Sequence, residues 1–205
     1  MRKARKLPLE ELTPYLLELP DPLAHLDLST IFGNRRPVEI EIGFGKGTFL
    51  VASGQARPEV NFVGVEIDRG LQLYVASRLA KRSLGNVRVV KADARQFVRD
   101  CVPGASLHAI HVYFPDPWWK TRHKKRRVFT GDFAASCERT LAPNGHLLVA
   151  TDVEEYFGVM TSLVAGHTRL RPVAWPAMNE ACQTNFERKA VQQGRTVWRA
   201  AFTLP

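Results

Sequence analysis

Val38-Glu39-Ile40-Glu41-Ile42, followed without a break by Gly43-Phe44-Gly45-Lys46-Gly47-Thr48, decides the fold. The alternating half reads as a β-strand, and the stretch from Thr48 to about Gln55 reads as a helix. A strand, a glycine turn and a helix make the opening of a nucleotide-binding βαβ unit. Glycine lets the backbone turn sharply and approach a ligand with no Cβ in the way, which marks Gly43, Gly45 and Gly47 as ligand-facing candidates.

The glycine spacing separates two kinds of ligand. A dinucleotide fingerprint, G-x-G-x-x-G, needs glycine at position 48, where this chain has Thr48; its third glycine comes one residue early. Glu41 stands two residues ahead of the first glycine, where it would repel a pyrophosphate. A carboxylate there suits a ligand carrying positive charge, such as the ammonium and sulfonium of S-adenosylmethionine.

Two further acids fall at comparable places. Asn61 to Asp68 reads as the second strand, and Glu66 follows Gly47 by 19 residues, a position from which a carboxylate can accept hydrogen bonds from both ribose hydroxyls. Asp68 is the better cap for the helix that follows, expected from Arg69 to about Ser83 with Leu71, Tyr74, Val75 and Leu79 on its apolar face. Val87 to Lys91 reads as the third strand. Asp93 beyond it either accepts from an adenine amino group or caps a helix expected from Ala94 to Asp100. Glu41, Glu66 and Asp93 at three consecutive strand ends together match amino acid, ribose and base.

The fourth strand, Leu107 to Val112, leads into Tyr113-Phe114-Pro115-Asp116-Pro117-Trp118-Trp119-Lys120, then Arg122 and Lys124-Lys125-Arg126-Arg127. Each proline biases its predecessor away from the helical region, so Phe114 and Asp116 are expected to be extended and the loop stiff. Such a loop holds one carboxylate, Asp116, past the carboxyl end of a strand, where ligands bind in open α/β sheets. Trp118 and Trp119 either stack on a displaced base or anchor the loop. Downstream, a helix is expected from about Gly131 to Leu141, stopped by Pro143-Asn144-Gly145. A strand from His146 to Thr151 then ends at Asp152, a helix covers about Glu154 to Ala165, and a last strand runs from Thr196 to Phe202.

At 205 residues the chain is long enough for one α/β domain. Residues 1–36 read as a basic extension and 37–205 as the domain. The formal charge is +9, yet Arg2, Lys3, Arg5 and Lys6 with the six cations between Lys120 and Arg127 exceed it, leaving the rest at −1. Positive charge gathered in two short segments fits a polyanion, most simply nucleic acid. No stretch approaches the roughly 18 apolar residues of a membrane helix, and no apolar signal core follows the basic tip. Cys101, Cys137 and Cys182 are scattered and odd in number, against a disulfide framework and against a metal site. A soluble cytoplasmic protein without metal or membrane contact is expected, as monomer or homodimer.

These residues resemble the bacterial tRNA (guanine-N7)-methyltransferases over about residues 38–203. The signatures are Glu41-Ile42-Gly43-Phe44-Gly45, Phe114-Pro115-Asp116-Pro117-Trp118 with Lys120 and the following basic block, Ala150-Thr151-Asp152, and Thr184-x-Phe186-Glu187. The resemblance implies a Rossmann-like class I methyltransferase fold, α/β, with a mostly parallel seven-stranded sheet, an antiparallel last strand and helices on both faces. It implies S-adenosylmethionine bound by Glu41, Gly43, Gly45, Gly47, Glu66, Asp93 and Asp116, with Asp116 also the catalytic residue. Lys120, Asp152, Thr184, Asn185, Phe186 and Glu187 would contact tRNA, whose variable-loop guanine is the expected acceptor. The chain departs from the family's usual Thr-Lys-Phe-Glu at Asn185, and has Lys189-Ala190 where Arg-Gly is usual.

Overall fold

The computed structural model describes residues 7–118, 122, 126–177, 182 and 184–205, with only the backbone of Asn185. Seven strands form one sheet: β1 (Val38–Ile42), β2 (Asn61–Glu66), β3 (Val87–Lys91), β4 (Leu107–Tyr113), β5 (Leu141–Thr151), β6 (Arg171–Val173) and β7 (Trp198–Thr203). Their spatial order is β3-β2-β1-β4-β5-β7-β6, and β7 alone runs against its neighbours. This is the sheet that the family resemblance implies.

Every residue of β1 is buried, as expected of a central parallel strand covered on both faces. Its alternation puts Ile40 and Ile42 into a core with Val65, Ile110, Val112, Phe133 and Met160. Glu39 and Glu41 face the other side, under helix α3 (Thr48–Ala56). There Phe49 meets the rings of Phe62, His111 and Tyr113. That sequence pattern therefore places two carboxylates inside the protein.

Residues 7–36 are laid along the sheet rather than away from it. Helix α1 (Leu9–Leu12), a 3-10 turn (Thr13–Tyr15) and helix α2 (Leu28–Phe32) carry Leu12 and Phe32 into the core, with Leu17 from the segment between. Leu17 N donates to Val89 O at 3.0 Å, which covers the exposed edge of β3.

Four local expectations need correction. Helix α4 (Arg69–Ala80) buries Gln72, Val75, Ala76 and Leu79, whereas Tyr74 is 52% exposed. Gln72 is tolerated inside because its amide donates to Val89 O at 2.9 Å. The helix expected over 94–100 is one α-turn, α5 (Ala94–Gln96), continuing as a π-helical turn to Cys101. Helix α6 (Gly131–Thr140) runs straight into β5, which passes through Pro143-Asn144-Gly145 instead of starting after them. The breakers are absorbed as a bulge between the Leu107–Leu141 and Ala109–His146 pairs, with Asn144 at φ 64°. Phe114, expected to be extended, has φ 51°. Its N–H donates to Ala150 O at 2.7 Å and its ring stacks on Phe186, so tertiary contacts override the preference imposed by Pro115. The remaining helices are α7 (Glu154–His167) and α8 (Asn185–Gln192).

Candidate active site

A cavity of about 540 Å³ opens where β1 and β4 end. Its walls are the glycine turn, the first turn of α3, Tyr113 and Phe114 from β4, and Thr184, Phe186 and Lys189 around α8. Open α/β sheets bind ligands at this edge, where the strand order reverses between β1 and β4.

The three glycines divide by role. Gly43 and Gly45 line the cavity at φ 70° and 50°, and a Cβ on either would meet nothing within 4 Å. They leave a bare backbone cradle facing open space. Gly47, also at positive φ, packs instead against α4: a Cβ there would come within 2.6 Å of Val75 Cγ1. The glycine at position 47 thus answers to helix–helix packing.

Glu41 is 4% exposed, lines the cavity, and its Oε2 has no hydrogen-bond partner among the described residues. Burial, and then the negative charge of Glu66, push its carboxyl well above the usual carboxylate range. An unpartnered buried oxygen is costly, and a cationic donor entering the cavity would relieve it. Glu66 is committed differently. Its Oε2 accepts from Gly45 N at 3.0 Å and its Oε1 from Ile67 N at 2.8 Å, so the end of β2 fastens the glycine turn. Each carboxylate oxygen has capacity for a second donor. Asp93 caps α5 through Arg95 N at 2.9 Å and pairs with the Arg95 side chain at 3.2 Å. Burial raises its carboxyl, and the Arg95 hydrogen bonds outweigh this and bring it below the ordinary value.

Asp116 is exposed on the loop after β4 and does not line the cavity. Its loop is anchored from below: Arg127 Nε donates to Pro117 O at 2.6 Å while its guanidinium lies 5.1 Å from the Tyr156 ring centre. Arg126 lies over the Trp118 ring at 5.1 Å. Lys120, Trp119, Lys124 and Lys125 lie outside the described residues.

Toward α8, Thr184 is buried and caps the helix, accepting from Glu187 N at 3.0 Å. Phe186 projects at 62% exposure and stacks on Phe114, ring centres 6.0 Å apart and planes 22° apart. Asp152 pairs with Arg195, and Glu187 with Arg199 at 2.5 Å, so neither acid lines the cavity. Sequence reasoning passed over Lys46, Thr48, Phe49, Leu71 and Tyr113 as cavity residues. Lys46 and Thr48 sit inside the glycine motif itself, whereas Phe49, Leu71 and Tyr113 carry no local signal beyond apolarity.

The cradle and Glu41 fit S-adenosylmethionine by their chemistry, pairing close backbone approach with an unsatisfied buried acceptor. Among the described residues, no group of three or more His, Cys, Asp or Glu is arranged to hold a metal ion, and no helix is long and apolar enough to cross a membrane. The three cysteines are free and buried.

A family model described as "Putative methyltransferase" matches residues 35–200. A protein from Hydrogenovibrio crunogenus named tRNA (guanine-N(7)-)-methyltransferase is 38% identical over 92% of this chain and 80% of its own length. Proteins of the same name from Rhodopirellula baltica (37%, covering 91% and 73%) and Bordetella pertussis (39%, 86% and 71%) agree. Among solved structures, the 16S rRNA methyltransferase KamB aligns with TM-score 0.64 at 15% identity over 92% of this chain and 95% of that one. The aminoglycoside resistance methyltransferase NpmB1 aligns at 0.63 with 16% identity, again over 92% and 95%. The structural likenesses show the class I methyltransferase fold, and the sequence relatives, matched over most of both lengths, show that the chain belongs to the tRNA (guanine-N(7)-)-methyltransferase family.

Proposed function

We propose that this chain transfers a methyl group from S-adenosylmethionine to N7 of a variable-loop guanine in tRNA, acting in the cytoplasm. The observation that carries the reading is Glu41, a buried carboxylate with an unpartnered oxygen in the wall of a cavity bounded by the glycine turn. Family membership supplies the reaction class.

When bound, S-adenosylmethionine supplies an electrophilic methyl group on a cationic sulfur. Glu41 accepts from the cofactor's ammonium, and Gly43 and Gly45 allow the backbone to approach it. Glu66 takes the ribose hydroxyls while held by Gly45 N–H, and Asp93 accepts at the base. Gly47 contributes indirectly, by seating the turn against Val75.

Guanine N7 carries an exposed lone pair, so no base has to remove a proton before attack. What remains for the chain is orientation and charge. Positive charge moves onto the purine as the methyl arrives, and Asp116 stabilises it or accepts from the guanine N1 and amino hydrogens. Phe186 and Thr184, with Lys120 and Asn185, form the RNA side. Asp152 and Glu187 act through the arginines they hold, Arg195 and Arg199. N7 faces the major groove, too deep and narrow in A-form RNA for side chains, which favours an irregular region such as the variable loop.

The test is methyl transfer from labelled S-adenosylmethionine to an unmodified tRNA transcript, followed by digestion and identification of the nucleoside. The expected product is 7-methylguanosine, lost when the variable-loop guanine is replaced by adenine. Label in another nucleoside, or transfer that survives that replacement, overturns the reading.

A further inference from the structure

The unbroken absence of acids from residue 69 to residue 92 singles out α4. That stretch holds Arg69, Arg78, Lys81, Arg82, Arg88 and Lys91 with no Asp or Glu. Arg88 is taken up by structure, since it donates to Gly85 O and lies over the Phe32 ring. Arg69 is bonded to Gln72. The outer face of α4 is another matter. Tyr74 is 52% exposed, Arg78 lies 6.0 Å from its ring centre, and Lys81 and Arg82 are exposed just beyond the last turn.

Arg78 links this stripe to the cavity wall. Arg78 donates to the backbone oxygen of Lys46, a cavity residue, and Arg82 donates to Arg78 O at 3.1 Å. Tyr74 and Arg78 are four apart, so Arg78 is displaced about 6 Å along the helix from Tyr74, and Arg82 follows in the turn beyond α4. Helix α1 packs on α4 and carries Glu10 and Glu11, but no ion pair joins either to an α4 cation among the described residues. Exposed cations around an exposed aromatic ring, unneutralised by their own helix, form a surface for a polyanion that also presents flat bases.

The topology says why such a surface would be needed. The cavity stands over the end of β1, with β4 and its basic loop on one side and β2, leading into α4, on the other. A nucleotide inserted into the cavity continues in both directions, so its flanking backbone crosses both lips. Phe114, where the chain leaves β4, stands at one lip. We propose that Tyr74, Lys81 and Arg82, steadied by Arg78, form the second lip, contacting the tRNA backbone on the opposite side of the inserted guanine. This inference rests on the tRNA reading above. Cations near a helix C-terminus also favour the helix itself, so the test must read RNA binding apart from folding.

The experiment compares wild type with Lys81→Gln/Arg82→Gln, Lys81→Glu/Arg82→Glu and Tyr74→Ala. It measures tRNA affinity over a salt series, S-adenosylhomocysteine affinity and Tm. The glutamine pair is expected to lower the log-log salt slope by about 1.4 to 1.8, two phosphate contacts at roughly 0.7 to 0.9 each. The glutamate pair should weaken tRNA binding by at least about tenfold, and Tyr74→Ala by severalfold, with cofactor affinity within about twofold of wild type. If the glutamate pair fails to fold, the glutamine slope decides alone. Unchanged slope and affinity in the variants, with a wild type that methylates tRNA, overturn the second lip and leave the reaction standing. A wild type that neither binds nor methylates tRNA overturns the reaction instead.

Discussion

His111 Nε2 lies 2.8 Å from Glu39 Oε2 beneath α3, on the same sheet face as Glu41. Glu39 also receives Arg57 through two bonds of 2.8 and 2.9 Å, and His111 Nδ1 is 2.7 Å from the Tyr113 hydroxyl. A hydrogen-bonded chain therefore runs from Arg57 to Tyr113 in the cavity wall. Of two neighbouring carboxylates on one strand, Glu39 is fully partnered and Glu41 is not, and their behaviours diverge accordingly.

Glu39 is the structural member of the pair. Burial raises its carboxyl, but the bond and charge of His111, and then Arg57, outweigh burial and hold it at about 2, against an ordinary 4.5. A depressed carboxylate contributes stability that is present above pH 4.5 and lost as pH falls from 4.5 through about 2. Glu39→Leu should cost on the order of 3 kcal/mol at pH 6, because it strands the buried His111 and the half-buried Arg57. Urea unfolding at pH 6 and pH 3 checks this: the gap between wild type and variant should narrow at pH 3. An equal gap at both would mean that packing, not the ionised carboxylate, carries the contribution.

Glu41 is the proposed cofactor ligand, and the sign reverses. A raised carboxyl favours the protonated form in the free protein and destabilises folding above the ordinary pKa. A cationic ligand draws it back toward ionisation, so binding releases a proton. Calorimetry of S-adenosylhomocysteine binding in two buffers of different ionisation enthalpy should therefore give different heats near neutral pH. Glu41→Gln should remove that buffer dependence and weaken binding by at least about tenfold. It should also raise the stability of the free protein by on the order of 1 kcal/mol, the pattern of a site residue held at a cost to the fold. Equal heats in both buffers for wild type would contradict the proton release.

Gly45 and Gly47 separate ligand approach from packing. Gly45→Ala meets only the left-handed strain, about 1–2 kcal/mol, in open space, so cofactor affinity should fall more than that strain alone accounts for. Gly47→Ala adds a clash with Val75 and should destabilise by roughly 2–4 kcal/mol. Adding Val75→Ala to Gly47→Ala should recover part of that loss, whereas Val75→Ala on the Gly45 variant should recover nothing. Thermal unfolding of the four variants distinguishes the two roles.

The sheet was legible because its strands announce themselves by period and by acids at their ends: Glu41, Glu66 and Asp93 all fall where β1, β2 and β3 finish or just beyond. Local rules failed where tertiary contacts outweighed them. Phe114 takes a left-handed φ because Ala150 and Phe186 hold it, and Gln72 replaces Tyr74 inside α4 because Val89 O satisfies its amide. The cations in and just after α4 escaped notice because acids elsewhere in the chain balance them in the sum, and only the fold shows Arg78 bonded to the backbone of Lys46 in the cavity wall. The aromatic wall of Phe49 and Tyr113 is apolar sequence like any core until α3 is seen to cover β4.

Arg127 is tied to the loop that carries Asp116, the proposed catalytic residue, in a way that charge counting misses. Its Nε holds Pro117 O, one residue beyond Asp116, and its guanidinium rests on the buried ring of Tyr156. Lysine would keep the charge and lose both the directed N–H and the flat stacking face. Arg127→Lys should therefore lower kcat by at least about tenfold while leaving the salt slope of tRNA binding near wild type. Asp116→Ala should do the same, cutting turnover far more than affinity. The double variant should be little worse than Asp116→Ala, since Arg127 would act through the loop that carries Asp116. A lowered salt slope in Arg127→Lys, or full additivity in the double variant, would instead make Arg127 an independent contact with the RNA.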